Sequence, residues 1–318
     1  MAEWRLDEGV GEHRAALIDG DDILEAAIDR QDGRLRVGQV IAAKLGERIG
    51  GGAWIATAQG DAVLESVPAG LSQGRSLLVE IVREAIPEPG RLKPPRARAS
   101  DAGDERAAPT LAERFPGARR MHVGSDPAWS ELIEEALTGE IDFPGGRLRL
   151  SPTPAMALFD VDGALPPAEL AVAGARAAAR AIRRLAIGGS IGVDLPTMGS
   201  KAERAAAARA IDDALPQPFE RTAVNGFGFV QIVRPRPRAS IPEIVRADPA
   251  LTQALLLIAR ASHEIGPRRL VAAPPVIAHL ERETDWRDAL ARRIGGAVAL
   301  RVDPALAISA GHVETFQA

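Results

Sequence analysis

Three aspartates carry the strongest chemical signal in this 318-residue sequence. Asp160 and Asp162 lie in Ala157-Leu158-Phe159-Asp160-Val161-Asp162-Gly163, and Asp194 ends the run Gly188-Gly189-Ser190-Ile191-Gly192-Val193-Asp194. Both runs read as strands, and two-residue alternation in the first sets Asp160 and Asp162 on one face and Phe159 and Val161 on the other. Carboxylates at neighbouring strand ends can share one hard cation, the donor set of many phosphodiester-cleaving sites. Taken singly, each aspartate reads as an ordinary turn cap.

The elements that must position these residues follow from local signals. A helix opens at Pro166-Pro167 and stops at Gly188-Gly189, so the two carboxylate runs form a strand-helix-strand unit. Arg176, Arg180, Arg183 and Arg184 make a basic stripe along that helix. Such a stripe suits either phosphate contacts or a solvated face. Ser200-Lys201-Ala202-Glu203 is a capping box for a helix to about Ala214. Phe219 to Val224 and Phe227 to Val233 read as strands around Asn225-Gly226, and Arg234-Pro235-Arg236-Pro237-Arg238 closes the unit with dense positive charge.

Upstream, Asp19-Gly20 turns a hairpin spanning residues 12–28. Short β-like runs at 38–42, 53–57, 62–64 and 76–82 predict a small barrel of the OB type. Trp54 in that barrel either packs in its core or offers a stacking face to a base. Pro87 to Thr110 reads as a linker, rich in proline and arginine. A strand at Ala118 to Val123, a helix from Asp126 to Leu137 and a hairpin-like pair at Glu140 to Leu150 follow. From Ile241, alternating helices and strands read as a small separate α/β domain. The expected division is 1–33 with 108–150, 34–86, a linker at 87–107, 151–238, and 241–318.

Bulk properties narrow the chemistry. The chain has no cysteine, which excludes disulfides, thiolate zinc sites and cysteine nucleophiles. Net charge is −4, so a nucleic-acid surface must be a local patch. Lys44, Lys93 and Lys201 are the lysines among 39 basic residues; arginine suits bidentate phosphate contacts, and a GC-rich genome equally yields such usage. No apolar run reaches membrane-span length, and the N-terminus lacks an export signal, so a cytoplasmic location without a membrane partner is expected. The five histidines have no ligand spacing, and no nucleophile elbow, P-loop or dinucleotide fingerprint occurs.

The order of these motifs resembles the ribonuclease E and ribonuclease G family of bacterial endoribonucleases. Met156 to Gly163 is similar to the family's first catalytic strand, and Ala179 to Met198 to its helix, Gly-Gly turn and second catalytic strand. Asn225-Gly226-Phe227-Gly228-Phe229 with Arg234 resembles the strand after it, and Glu140 to Gly146 the segment before the site. The resemblance implies an α/β chain with a split RNase H-like subdomain, an inserted OB-type RNA-binding barrel and a DNase I-like catalytic unit. It implies Mg2+-dependent hydrolysis of single-stranded RNA to 5′-phosphate products, with Mn2+ as a substitute cation. Asp160 and Asp194 match the family's metal-binding aspartates, with Asp162 assisting catalysis. Arg183, Arg184, Lys201 and Arg234 are then expected at phosphates, and Trp54 under a base.

The sequence also departs from the family pattern. Asp162 replaces an asparagine, Ser66 replaces a second stacking aromatic, and the linker replaces the segment that senses a 5′-monophosphate. Ile241 to Pro249 stands where the family has paired zinc-binding cysteines, so no zinc is expected, and any homo-oligomer forms without a zinc link. The alternative expectation is an RNA-binding protein of the same fold with impaired catalysis.

Overall fold

The computed structural model describes residues 1–88, 90–124 and 126–316. Pro89 of the expected linker, and 317 and 318 at the end of the expected C-terminal domain, lie outside the described residues. The chain is a mixed α/β protein built as two compact units. One comprises Met1–Asp32, Phe115–Leu137 and the chain from Val245 onward; the other comprises Gly33–Arg114 and Thr138–Ile244.

The chain begins with β1 (Glu3–Glu8), β2 (Glu12–Asp19) and β3 (Asp22–Arg30), and β2 and β3 form the hairpin expected at Asp19-Gly20. Next come β4 (Val40–Ile49), β5 (Gly52–Thr57), β6 (Gly60–Leu64) and β7 (Ser76–Arg83). The proline-rich stretch holds three short strands, β8 (Ile86–Glu88), β9 (Arg91–Lys93) and β10 (Arg96–Ala99). It is therefore not a plain linker. β10 pairs parallel with β6 and antiparallel with β7, and so closes a barrel of order β10-β6-β5-β4-β7. The reason lies in its alternation: Ala97 is fully buried inside, while Arg96 and Arg98 point out to Glu65 and Glu80 at 3.6 and 2.8 Å. Leu45, Ile55, Leu64, Val79 and Ile81 fill the interior around it.

A one-turn helix α1 (Leu111–Arg114), a short β11 (Arg119–Arg120) and α2 (Pro127–Thr138) follow, with β11 paired parallel to β1. The expected strand at Ala118 to Val123 shrinks to those two residues, because Val123 N and Gly124 N instead donate to the buried carboxylate of Asp7 at 3.1 and 3.0 Å. Then come β12 (Glu140–Phe143), β13 (Gly146–Pro152), β14 (Ala157–Gly163), α3 (Pro167–Arg184), β15 (Gly189–Asp194), α4 (Lys201–Ala214), β16 (Glu220–Arg221) and β17 (Phe229–Arg234). They form a six-stranded sheet of order β12-β13-β14-β15-β17-β16, in which only β14 and β15 are parallel neighbours. The crossover between that pair is α3, as a parallel connection requires.

The remainder is α5 (Ile241–Ala247), α6 (Pro249–Ala261), β18 (Arg268–Ala272), α7 (Pro274–Arg282), α8 (Thr284–Ile294), β19 (Val298–Val302) and β20 (His312–Thr315). Leu257, Leu270, Val276, Leu280 and Leu290 build its core, with Val10 and Trp286 packed against it. This part does not stand apart as a separate domain. The buried guanidinium of Arg14 reaches the Leu255 carbonyl at 3.4 Å, and Arg30 donates to the Thr252 hydroxyl at 2.8 Å. The Arg14 charge itself is paired within the first strands, with Glu12 at 2.9 Å and Asp7 at 3.7 Å, and the two hydrogen bonds tie this segment to those strands within one compact unit.

Among the described residues, no helix is long and apolar enough to cross a membrane.

Candidate functional site

The six-stranded sheet has one face covered and one open. Leu148, Leu150, Phe159, Val161, Ile191, Val193, Val230 and Ile232 are buried. α3 covers their side of the sheet, its Gly174 lying against Val161 so closely that a Cβ there would meet Cγ1 at 2.4 Å. Alternation then sends their neighbours to the opposite face. Across that open face the register aligns Glu140, Arg149, Asp160, Asp194 and Phe229, one residue from each of five adjacent strands. A second row runs Asp142, Arg147, Asp162.

Asp160 and Asp194 are direct partners on parallel strands, about 4.8 Å apart at Cα. Neither forms an ion pair with any described arginine or lysine, because the nearby guanidinium groups are engaged elsewhere. Arg149 donates to Glu140 at 3.1 Å, and Arg147 to Asp142 at 2.6 Å and Glu140 at 3.3 Å. The Asp194 carboxyl is consequently held above the ordinary aspartate pKa, first by partial loss of solvation at the sheet surface and second by the like charge of Asp160. Two uncompensated carboxylates in register can take up a hard divalent cation and leave its other coordination positions to water or phosphate oxygens.

Asp162 shares that face but has no register partner on β15. It stands one alternation beyond Asp160, opposite Arg147 and past the end of β15. Among the described residues, no three histidine, aspartate or glutamate side chains are grouped closely enough to hold a metal ion.

The expected phosphate contacts separate into two groups. Lys201 opens α4, is exposed, and lies seven residues beyond Asp194 at the same end of β15. Arg234 pairs with Gly189 at the other end of that strand, five residues and about 16 Å from the Asp194 level. It donates to the Ile187 carbonyl at 3.2 Å. Arg183 and Arg184, in the last turn of α3, lead into that same remote end and are partly buried. The positive run after Arg234 is likewise structural: Arg236 pairs with Glu88 at 3.4 Å and with Glu243, and Arg238 pairs with Glu84 at 3.2 Å.

Trp54 faces out of the barrel, 37% exposed, since Ala53 and Ile55 on either side point inward. Its outer-face row continues through Val63 and Arg96 to Arg83. Arg83 has its pKa lowered by burial and then by the repulsion of Arg96 and Arg236, and its Nε has no hydrogen-bond partner. Glu65 and Glu88 act in the opposite direction, so this row carries an aromatic beside charges of both signs.

Two features escaped sequence reasoning. Arg83 ends an apolar strand in the sequence and acquires meaning only when barrel closure sets it beside Arg96. Phe227, at 82%, is the most exposed aromatic among the described residues and lies in the loop entering β17. A phenylalanine flanked by Gly226 and Gly228 after Asn225 was the available signal. On the open face, Phe229 and Met156 line an apolar shelf beside Asp194, and they explain Gly192, where a Cβ would meet Phe229 Cζ at 2.7 Å and Met156 Sδ at 2.8 Å. No protein-family model matches the chain, and no curated protein is close enough in sequence to count as a relative.

Proposed function

We propose that the chain is a Mg2+-dependent endoribonuclease that hydrolyses single-stranded RNA, breaking the P–O3′ bond to leave a 5′-phosphate downstream and a 3′-hydroxyl upstream. The observation that carries this reading is the register pair Asp160 and Asp194, two carboxylates on adjacent parallel strands that form no ion pair with an arginine or lysine among the described residues. The donor chemistry fits Mg2+, which typically takes one or two carboxylates and completes its shell with water and substrate phosphate; Mn2+ would serve the same oxygens. When bound, Mg2+ supplies an acidified water and neutralises charge developing on the phosphoryl oxygens.

The protein's own share is positional. β14 and β15 fix the two carboxylates on the open face, beside the Met156 and Phe229 shelf. Lys201 extends from the same end of the sheet as a point charge for a neighbouring phosphate. Trp54, with Arg96 and Arg83 along the barrel's outer face, supports binding of an unpaired strand without base preference. In this reading the barrel is of the OB type, the β1 to β3 sheet belongs to an RNase H-like subdomain, and the six-stranded sheet is a DNase I-like catalytic unit. The work would be cytoplasmic RNA processing or decay, and any homo-oligomer would form without zinc.

The test is cleavage of an A/U-rich single-stranded oligoribonucleotide in Mg2+. Asp160→Asn and Asp194→Asn should each reduce it by at least about 100-fold. Wild-type rates in either variant would remove the assignment. A second reading, an RNA-binding protein with impaired catalysis, is favoured by one observation: Arg183, Arg184 and Arg234 sit at the far end of the strands from the carboxylates, which leaves few cations to hold the scissile phosphate. Binding without turnover across Mg2+ and Mn2+ titrations would select it.

A further inference from the structure

We infer that the Phe227 ring is a stacking platform for one base of the RNA strand, fixed beside the carboxylate pair so that it sets which phosphodiester reaches that pair. The inference rests on the nuclease reading above and adds a positioning residue to it.

Three observations carry it. Phe227 leaves most of its ring in water, although burial is the ordinary state of so apolar a side chain. The loop beneath it is nevertheless fixed. The Asn225 side-chain oxygen accepts from Phe227 N at 2.9 Å and from Phe229 N at 3.0 Å, while Asn225 N donates to the Phe229 carbonyl at 3.0 Å. A backbone held in this way presents the exposed ring from a fixed Cα, so that only side-chain rotation remains to be lost on binding.

The third observation is location. Leu195, the residue after Asp194, donates its N–H to the Gly228 carbonyl at 3.3 Å, and the Thr197 hydroxyl reaches the Phe227 carbonyl at 3.5 Å. Gly228 permits this approach: its φ is +93°, and a Cβ there would lie 2.2 Å from the Leu195 carbonyl oxygen. Phe229 stands opposite Asp194 in register, and Phe227 lies two residues before it in the turn closed by Gly228 N on the Asn225 carbonyl at 3.2 Å, no more than about 7 Å away at Cα. Neighbouring nucleotides of an extended single strand span such a distance. A strand with one phosphate at Asp160 and Asp194 therefore brings an adjacent base over Phe227. Stacking uses the π-face common to every base, so the residue would select position rather than sequence.

The experiment compares wild type, Phe227→Ala and Phe227→Trp on an A/U-rich oligoribonucleotide and on a series carrying one abasic nucleotide at successive positions. Cleavage in Mg2+ and fluorescence-polarisation binding without metal are both read. Phe227→Ala should raise KM and weaken binding about 5- to 100-fold, with kcat nearly unchanged, and Phe227→Trp should restore both. In wild type, one abasic position should carry a penalty of the same size, and that penalty should vanish in Phe227→Ala. Unchanged KM and binding in Phe227→Ala, or an abasic penalty that persists in it, overturns the inference. Wild-type cleavage alongside that result would leave the nuclease reading standing. Wild type that neither binds nor cleaves would overturn both, and wild type that binds without cleaving would still test the stack through the binding arm. Because the ring is exposed, an unchanged melting temperature is the check that Phe227→Ala is folded.

Discussion

Asp194 offers a measurement that needs no RNA. Its carboxyl pKa is raised above the ordinary aspartate value of 3.8 by partial desolvation and by Asp160, so the folded state holds that proton more tightly than the unfolded chain does. Stability is therefore lost as pH rises from the unfolded pKa through the raised folded one, and the cost is fully present at neutral pH. Solvent screening at this open face keeps it below about 1 kcal/mol. Metal-free Asp194→Asn should melt about 1–2 °C above wild type at pH 7. Near pH 3, where the wild-type carboxyl is protonated in both states, the two should coincide. Mg2+ should then raise the melting temperature of wild type and not of Asp194→Asn. Calorimetry in the presence of a chelator and then of Mg2+ checks all three statements, and an equal Mg2+ response in both proteins would remove the cation from this pair.

The strand-helix-strand unit depends on one contact at the element scale. Gly174 lets α3 lie directly on Val161 of β14. Gly174→Leu should lift the helix and destabilise the protein by about 1–3 kcal/mol through overpacking. Adding Val161→Ala should recover part of that loss in urea unfolding, since it returns volume to the same spot. The elements legible in sequence were those with local signals. Ser200 and Glu203 form the expected reciprocal cap at 3.1 and 2.9 Å, Asp19-Gly20 turns the first hairpin, and the four expected barrel strands are present. What stayed hidden was non-local. β10 has a single inward side chain, Ala97, among arginines and prolines, and its strand character comes from β6 and β7. α7 begins at Pro274-Pro275, a signal for either a loop or a helix start, and its core packing decides between them. At the site, the strand-helix-strand pattern made it readable that carboxylates of two neighbouring strands share one end of the sheet. The choice of Asp160 as the partner of Asp194 came only from the family resemblance, and parallel register sets the two opposite each other. The distance of Arg234 from that pair follows from antiparallel register, which the pattern did not make readable.

Across the whole molecule, arginine-rich composition turns out to describe internal ties more than a binding surface. Glu84, 8% exposed, accepts from Arg36 Nη1 and Val37 N at 3.2 Å and pairs with Arg238 Nε at 3.2 Å, while its own N–H donates to the Pro237 carbonyl at 2.9 Å. It joins the end of the barrel to the segment leaving β17. Glu84→Gln should lower stability by about 1–3 kcal/mol, because two partly buried guanidinium groups lose their counter-charge. The urea midpoint followed by circular dichroism measures this, and an unchanged midpoint would make the contact incidental. Residue types alone could not separate such arginines from those facing phosphate, since both are exposed in the unfolded chain and differ only in what folding brings beside them.

The threading of the two units also bears on the order in which the protein is made. β1 to β3 are synthesised before the rest of their unit, and Arg14 in β2 and Arg30 in β3 each make a hydrogen bond to a segment 241 and 222 residues later, at the Leu255 carbonyl and the Thr252 hydroxyl. The ion pairs of that hairpin are local, Arg14 with Glu12 and Asp7 and Arg30 with Glu12, but the compact unit around them is completed only by that late segment. The barrel strands, drawn from the contiguous stretch Gly33–Arg114, face no such delay. Vectorial synthesis should therefore produce a closed barrel before either of its flanking strand systems is complete, with β1 to β3 completing their unit only after the segment from Val245 arrives.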